Sequence, residues 1–448
     1  MKKVYVKPTL KKQLMGGMNK FGNNYYRPIK SEIDGVAVQK LLAEYGSPLF
    51  VFSEKTIRNQ YRKLHQAFST RYPNTQFSWS YKTNYLGAIC SILHQEGETA
   101  EVVSGFEYEK AISLGVNPAD IIFNGPYKTD EDLKRAFTDG ATVNLDNFQE
   151  IYRAEKIASE LGKQVNIGIR LNMETGIFPR WEKFGFNLDT TQAVEAVNRI
   201  SRSPSLKLVG LHSHIGTFVL DPNSYAQQVE SMVKFMFDIE NRFNISIEYL
   251  DIGGGFPSKN KLKGTYLPSD IVTPDIDEYA EKICDTLMRL LPANKYPKLI
   301  LETGRHIVDE AGFLLTTVFA QKQLSSGVKS YFVDAGINLL YTSTWYNMDI
   351  QPAVETKGTP EPVVIYGPLC MNIDVLAESI YMPPLPTGTP LVISPVGAYN
   401  VTQWMQFITY RPAIAMVFAD GSYGLIRRRE KLEDVTKPEI IPAHLALN

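Results

Sequence analysis

Phe77-Ser-Trp-Ser-Tyr-Lys-Thr-Asn84 is the first of eight strand-like segments that decide the fold of this chain. The segment has the character of a buried strand, yet Lys82 stands near its end. A buried ammonium group is costly unless it is paired or used chemically. Two interpretations follow. The lysine reaches solvent from a strand end, or its desolvated amine forms a Schiff base with an aldehyde cofactor.

Seven further strand candidates follow up to about residue 305, and stretches with helical periodicity separate them. The candidates cover residues 100–104, 121–125, 142–146, 165–171, 208–215, 247–253 and 298–303. The helical stretches include residues 54–72, 147–161 and 222–243. Eight β/α units suit a parallel barrel better than an open doubly wound sheet. We therefore predict an α/β fold with a (β/α)8 TIM-like barrel over residues 54–310.

The chain changes character after residue 310. Short strand-like runs separated by Pro and Gly cover residues 313–320, 330–333, 362–366, 390–394 and 413–419. They predict a second, mostly β domain over residues 311–448. A strand-like run at 48–53 assigns residues 32–53 to the same domain, so the chain would enter the barrel from the β domain and return to it. We expect this domain to contribute to the active site.

Composition excludes several classes of protein. Hydrophobic residues make up 44% of the 448 residues and the formal net charge is −1, which gives no reason to expect nucleic acid or an anionic membrane as partner. No apolar run reaches spanning length, so we predict a soluble, cytoplasmic protein. Three widely spaced cysteines argue against a disulfide framework or a zinc site.

Residues 1–31 carry eight Lys or Arg and no acid, which predicts a flexible basic tail.

Chemically unusual residues fall at the ends of the predicted strands, where barrels of this type place their active sites. They are Lys82, Asn124, Gly125, Arg170, His212, His214, Gly253-Gly254-Gly255 and Glu302-Thr-Gly-Arg305. The glycine triplet alone indicates no more than a tight turn, but together with Gly304-Arg305 it predicts a phosphate site. The two histidines lie on one side of a strand and lack a suitable third ligand, so we predict no metal. An imidazole stacked on a flat cofactor ring is the favoured interpretation.

Several motifs in a fixed order resemble one family. They are Lys82-Thr-Asn84, Glu101-Val-Val-Ser-Gly105, Ile122-Phe-Asn-Gly125, the segment 210–217, Gly253-Gly-Gly-Phe-Pro257, Glu302-Thr-Gly-Arg305, Val333-Asp-Ala-Gly336, Gly367-Pro-Leu-Cys370 and Gly397-Ala-Tyr399. Over about residues 48–425 the chain resembles the fold-type III pyridoxal phosphate decarboxylases. This group includes diaminopimelate, ornithine and arginine decarboxylases and shares its barrel with alanine racemase. The chain is most similar to the diaminopimelate decarboxylases.

The resemblance implies a role for each matching residue. Lys82 would form the Schiff base with pyridoxal phosphate, and His214 would stack on its ring. The phosphate would be held by Gly253, Gly254, Gly255, Thr217, Gly304, Arg305 and Tyr399. Glu302 would keep the ring nitrogen protonated, which favours decarboxylation, since alanine racemases place an arginine there. Cys370 would protonate the product from the partner subunit, so the resemblance implies a homodimer with shared sites.

The chain departs from the family where the distal end of the substrate would bind. Met371 replaces the usual acidic residue, and Thr342-Ser-Thr-Trp-Tyr346 replaces an Arg-Pro-Ala-Leu-Tyr segment, keeping only Tyr346. A thioether cannot pair with an ammonium group, and Asp334 remains as a candidate anchor for an amine. We therefore expect a decarboxylase for a modified or conjugated amino acid. A genuine diaminopimelate decarboxylase of lysine biosynthesis, an amino-acid racemase and a non-catalytic homologue are the alternatives.

Overall fold

A computed structural model describes residues 28–176, 179–265 and 267–445, so residues 1–27 of the predicted basic tail lie outside the described residues. A short hairpin and a helix lead to the first long strand and the first long helix. These elements are β1 (Glu32–Ile33), β2 (Val36–Ala37), α1 (Val38–Tyr45), β3 (Leu49–Ser53) and α2 (Glu54–Ser69). The Ser53 hydroxyl accepts the N–H of Thr56 at 3.0 Å, which caps α2 and fixes where it begins.

The next part of the chain alternates strands with helices. Its elements are β4 (Thr75–Ser80), α3 (Gly87–Gln95), β5 (Thr99–Val102), α4 (Gly105–Ser113), β6 (Ile121–Phe123), α5 (Asp130–Asp139), β7 (Thr142–Leu145), α6 (Phe148–Glu160), β8 (Val165–Asn172), β9 (Phe186–Asn187), α7 (Gln192–Ser201), β10 (Leu206–His212), α8 (Pro222–Phe243), β11 (Tyr249–Asp251), α9 (Ser269–Val272), α10 (Ile276–Leu290), β12 (Lys298–Thr303) and α11 (Arg305–Val308). All of these strands pair in parallel. Strand β8 pairs with β10 and β12 pairs with β4, which closes eight strands into a barrel. The predicted (β/α)8 barrel is confirmed.

The helices around the barrel are amphipathic and bury one face against the strands. In α8 the buried positions Tyr225, Val229, Met232, Val233 and Met236 recur every three or four residues. None of the helices in the described part of the chain is both long and apolar enough to cross a membrane. The cytoplasmic location stays a prediction.

The remaining strands form the second, mostly β part of the molecule. They are β13 (Gly312–Gln323), β14 (Lys329–Val333), β15 (Asp349–Pro352), β16 (Glu361–Tyr366), β17 (Val375–Met382), β18 (Pro390–Ser394), β19 (Ala413–Val417) and β20 (Tyr423–Arg427), followed by α12 (Leu432–Thr436). Strand β3 lies between β13 and β19, so the segment before the barrel is part of this sheet. Strands β15, β17 and β20 are not among those predicted from the sequence.

The β domain contacts the barrel where β4 ends. The side chain of Asn84 donates to the carbonyl of Gly397 at 3.0 Å, and the N–H of Tyr399 donates to the carbonyl of Thr83 at 2.9 Å. The hydroxyl of Thr402 donates to the carbonyl of Lys82 itself at 3.0 Å. The backbone that carries Lys82 is therefore held from both domains.

Candidate active site

A cavity of about 610 Å³ opens at the carboxyl ends of the barrel strands. Most of the residues predicted from the sequence line it, although they come from distant parts of the chain. They are Lys82, His214, Thr217, Gly254, Gly255, Glu302, Gly304, Arg305, Thr342, Tyr346 and Tyr399. Gly253 directly precedes the lining glycines at the end of β11. The fold thus brings the main candidates into one pocket.

Lys82 lies in a short turn after β4, with its amine directed at acidic groups. Its Nζ contacts the carboxylate of Glu101 and lies 3.8 Å from Glu302 Oε2 and 3.3 Å from Ser80 Oγ. Burial acts to lower the pKa of Lys82, but the charges of Glu101 and Glu302 outweigh it and raise the pKa above its ordinary value. The amine is therefore an ammonium group that must give up a proton before it can react, and Glu101 is the nearest acceptor.

Glu302, at the end of β12, is buried and fixed by amides. Its Oε1 accepts from the side chain of Asn124 at 2.7 Å, and Asn124 in turn accepts from Asn144 at 2.8 Å. The backbone N–H of Glu302 donates to the carbonyl of Gly253 at 2.9 Å. One carboxylate oxygen is thus held while the side chain faces the cavity next to Lys82.

The two histidines of β10 and the loop after it are both neutral. Burial is the main cause that lowers the pKa of His214 to about 3 and the pKa of His212 well below its ordinary value. His214 Nδ1 accepts the N–H of Gly254 at 3.0 Å, so its proton is on Nε2. A flat, uncharged ring fixed in this way suits stacking on a planar cofactor. The indole of Trp181 lies 5.6 Å from the imidazole, centroid to centroid.

The floor of the cavity contains a set of groups that the sequence did not single out as neighbours. Ligand atoms of His212, Asp251 and Glu302 lie within 4.8 Å of one another. Burial, followed by the nearby charge of Glu302, raises the pKa of Asp251 well above its ordinary value. Burial of this kind favours the protonated form of Asp251. The absence of a metal stays a prediction.

The glycine triplet packs closely against neighbouring protein backbone, and its role in binding a phosphate stays a prediction. Gly253 and Gly255 have φ of +70° and +94°, which favours glycine. A Cβ atom at Gly254 would overlap the carbonyl of Glu302, and one at Gly255 would overlap the carbonyl of Gly216. The hydroxyl of Tyr225 donates to the carbonyl of Gly254 at 2.8 Å and holds the loop in place.

Arg305 lies beside this loop, surrounded by aromatic rings. Its guanidinium carbon is 4.7 Å from the ring centre of Tyr346, 5.0 Å from Tyr399 and 5.8 Å from Phe218. Its Nη1 lies 3.2 Å from the carboxylate of Asp309, and its buried Nε has no hydrogen-bond partner. A buried donor without a partner indicates a site for an anionic oxygen.

These groups match the parts of pyridoxal phosphate. Lys82 offers an amine for an aldehyde, Glu302 a carboxylate for a ring nitrogen, and His214 a flat face for the ring. The buried Arg305 Nε offers a donor for a phosphate, whereas the amides of Gly253 and Gly254 already donate to Asp251 and His214. The residues present therefore fit this cofactor.

Three predicted residues lie outside the cavity of their own chain. Cys370 is exposed and Met371 is partly exposed, on the loop between β16 and β17. The carboxylate of Asp334 accepts from the hydroxyl of Thr316 at 2.6 Å and from the N–H of Thr317 at 3.0 Å. Both bonds are accepted by Oδ1 and come from β13, and the role of Asp334 as an anchor for a substrate amine stays a prediction.

Sequence reasoning missed part of the cavity wall. Trp181, Phe184 and Phe218 line the cavity, and the guanidinium of Arg170 stacks on Phe184 at 4.3 Å. Phe218 has a φ of +56°, an uncommon conformation for a bulky residue, which no sequence pattern predicts. Nothing in the sequence signals Trp181 or Phe184. These aromatic side chains form part of the cavity wall.

Thr303, at the end of β12, contacts a buried acid behind the cavity. Its hydroxyl donates to the carboxyl of Glu98, whose Oε1 is buried without a partner. Burial raises the pKa of Glu98 to about 8, although the hydrogen bond from Thr303 acts in the opposite direction. Glu98 is therefore a neutral acid near pH 7.

We predict that Glu98→Gln changes the pH dependence of stability. An unfolded chain releases this proton near pH 4.5, whereas the folded chain keeps it to about pH 8, so the wild type loses stability as pH rises between these values. The variant cannot ionise. Its free energy of unfolding should therefore rise relative to wild type by roughly 2–4 kcal/mol from pH 5 to pH 8, measured by denaturant titration of the holoenzyme. Glu109→Gln, at an exposed position, is the control. A difference that does not vary with pH would contradict the buried titration.

Comparisons with known proteins agree with the geometry. Residues 55–309 match the model of the pyridoxal-dependent decarboxylase, pyridoxal binding domain. The chain is 31% identical over 427 residues to the diaminopimelate decarboxylase of Methanothermobacter thermautotrophicus, covering 92% of this chain and 96% of that protein. The chain belongs to the pyridoxal-dependent decarboxylase family.

Solved structures of this family resemble the whole chain. The crystal structure of diaminopimelate decarboxylase from M. jannaschii superposes with a TM-score of 0.85 at 28% identity, covering 94% of this chain and 99% of that one. The co-complex of the M. jannaschii enzyme with L-lysine gives a TM-score of 0.83 at 27% identity, covering 93% and 97%. This chain is accordingly a pyridoxal phosphate-dependent carboxy-lyase that acts on an amino acid.

Proposed function

We propose that this decarboxylase removes the α-carboxylate at one end of meso-diaminopimelate and releases L-lysine. The full-length similarity to diaminopimelate decarboxylases supports this substrate, and L-lysine is the ligand named for one similar structure. The observation that carries the reaction type is the buried carboxylate of Glu302, 3.8 Å from the amine of Lys82. This proposal reverses the order of the two substrate hypotheses drawn from the sequence.

Each residue of the cavity would have a separate task. Lys82 would hold the aldehyde carbon of the cofactor after giving its proton to Glu101. Glu302 would hold a proton on the ring nitrogen, and neutral His214 would fix the plane of the ring. When bound, pyridoxal phosphate supplies a conjugated ring that accepts the electron pair left by the departing carbon dioxide. Arg305 and the glycine loop would orient the phosphate, while the aromatic side chains of the cavity wall would limit access of water.

A specific observation favours a second candidate, a modified or conjugated amino acid. Thr342 offers no free donor to a substrate carboxylate, because its N–H and its hydroxyl both donate to Asn400 Oδ1, at 3.0 and 2.9 Å. Trp345, which carries no charge, is half-exposed at the cavity. A pocket of this kind would suit a distal end that lacks a free ammonium or carboxylate group.

Carbon dioxide release from matched substrates separates the two candidates. Purified holoenzyme would be incubated with meso-diaminopimelate, with ornithine, and with each of these compounds acylated on its distal amine. The products would be identified by mass. We expect turnover of meso-diaminopimelate on the order of 1 per second or faster. Turnover confined to the acylated forms would reject diaminopimelate and support the second candidate. Racemised but intact substrate would reject both.

The exposed position of Cys370 leads us to propose a homodimer in which this thiol reaches the cavity of the partner subunit. Cys370→Ala should slow turnover by about a hundredfold, because the general acid is lost, while the cofactor stays bound. Co-expression with Lys82→Ala should then restore activity, since a mixed dimer contains one intact site. A random mixture of subunits should regain about a quarter of wild-type activity. A mixture that stays inactive despite verified mixed dimers would rule out sites shared in this way.

A further inference from the structure

Asp309 lies at the centre of a buried hydrogen-bonded cluster next to Arg305. Its side chain is fully buried at the end of α11. Its Oδ2 accepts from Arg305 Nη1 at 3.2 Å, from Ser258 Oγ at 2.6 Å and from Asn260 Nδ2 at 3.3 Å. Its Oδ1 accepts the N–H of Ala398 at 3.2 Å. One carboxylate therefore collects four donors from three parts of the chain.

The cluster joins the glycine loop, the phosphate-side arginine and the β domain. Ser258 and Asn260 follow the glycine loop of the barrel, whereas Ala398 belongs to the β-domain segment that ends in Tyr399. The backbone carbonyl of Asp309 also accepts the N–H of Gly397 at 3.0 Å. A Cβ atom at Gly397 would overlap the carbonyl of Val308, so the two domains meet here backbone to backbone.

The carboxylate of Asp309 also determines the orientation of the Arg305 guanidinium. Asp309 holds one edge of the guanidinium, and Tyr346 and Tyr399 pack against it at 4.7 and 5.0 Å. Arg305 lines the cavity, and its buried Nε has no hydrogen-bond partner. Because a buried donor costs free energy until it finds an acceptor, this arrangement keeps one N–H ready for an anionic ligand.

We propose that Asp309 is a positioning residue for the cofactor phosphate. Asp309 holds Arg305 in place and also binds the backbone of the segment Gly397–Tyr399. Binding of the phosphate therefore depends on the packing of the β domain against the barrel. This inference rests on the proposed function, in which Arg305 binds the phosphate. The positioning role of Asp309 and its negative charge predict opposite effects on phosphate binding. A carboxylate near a phosphate repels it, so a purely electrostatic role would make binding tighter when Asp309 is removed.

Comparing pyridoxal 5′-phosphate with pyridoxal, which lacks the phosphate, tests the proposal without relying on activity. Full-length protein freed of cofactor would be titrated with each aldehyde and binding followed by absorbance. For Asp309→Ala we expect Kd for pyridoxal 5′-phosphate to rise about ten- to a hundredfold, with Kd for pyridoxal within about twofold of wild type. Asp309→Asn keeps the acceptor oxygen and should give a smaller loss of the same kind, and it serves if the alanine variant does not fold.

Glu430→Gln is the matched control, because Glu430 is a buried carboxylate bound to Arg411 and Arg427 outside the cavity. It should leave both dissociation constants unchanged. Unchanged or tighter phosphate binding in the Asp309 variants would overturn the proposal, and so would an equal loss for both aldehydes. A second readout is hydrogen exchange, which should speed up at the amides of Gly397 and Ala398 in Asp309→Ala. If wild-type protein bound neither aldehyde at Lys82, the proposed function itself would fail.

Discussion

The Lys82→Ala variant is expected to lose carbon dioxide release almost completely, with kcat lower by at least about ten-thousandfold. Lys82 is the lysine whose amine faces both Glu101 and Glu302 in the cavity. Among the described residues, no other lysine lines the cavity to hold the aldehyde carbon of the cofactor beside these carboxylates. Carbon dioxide release and the visible absorbance of the lysine-bound cofactor should disappear together.

Two controls make the result specific to the amine. Lys156→Ala removes an exposed lysine and should leave both signals unchanged. Adding a small primary amine to Lys82→Ala should restore a fraction of turnover, because it supplies the missing nitrogen. Substantial turnover by Lys82→Ala without added amine would remove this residue from the reaction.

Glu302→Gln is expected to bind the cofactor but to lower kcat by roughly a hundred- to a thousandfold. The glutamine keeps the size of the side chain and can still contact Asn124, yet it carries no charge to hold a proton on the ring nitrogen. The absorbance of the bound cofactor should persist while carbon dioxide release falls.

Glu107→Gln is a suitable comparison for this loss. Glu107 is buried near the site but lies outside the cavity, where it accepts the N–H of Val103 at 2.9 Å. This variant should keep most of the wild-type kcat. If Glu302→Gln were as active as Glu107→Gln, the carboxylate would have no part in breaking the carbon–carbon bond.

The barrel could be predicted from the sequence because local periodicity and strand-end chemistry agree. Each predicted barrel strand is present. Its ends differ from the prediction where a local backbone conformation stops the pairing with the neighbouring strand. The segment 247–253 was predicted as a strand, whereas β11 is Tyr249–Asp251, because Gly253 turns away with a φ of +70°. The cavity residues at these strand ends followed from the same argument, since parallel strands of a barrel end at one face.

Features set by tertiary contacts were not predictable. Most of strand β17 is only partly buried and the strand has no strong hydrophobic alternation, so its pairing with β16 was missed. Trp181 and Phe184 reach the cavity from the segment between β8 and β9, whose path no local pattern defines. Asp309 carried one usable signal, an acid four residues after Arg305 on the same turn. Its bonds to Ser258 and Ala398 depend on the complete fold.

The most direct test of the central claim is to map where the cofactor attaches. Holoenzyme would be reduced with borohydride, digested, and searched by mass spectrometry for the peptide that carries the reduced pyridoxyl group. We predict that this group is found on Lys82 and that Lys82→Ala yields no labelled peptide. A label on a different lysine, or none in cofactor-saturated wild-type protein, would contradict the assignment of this cavity as the decarboxylase site.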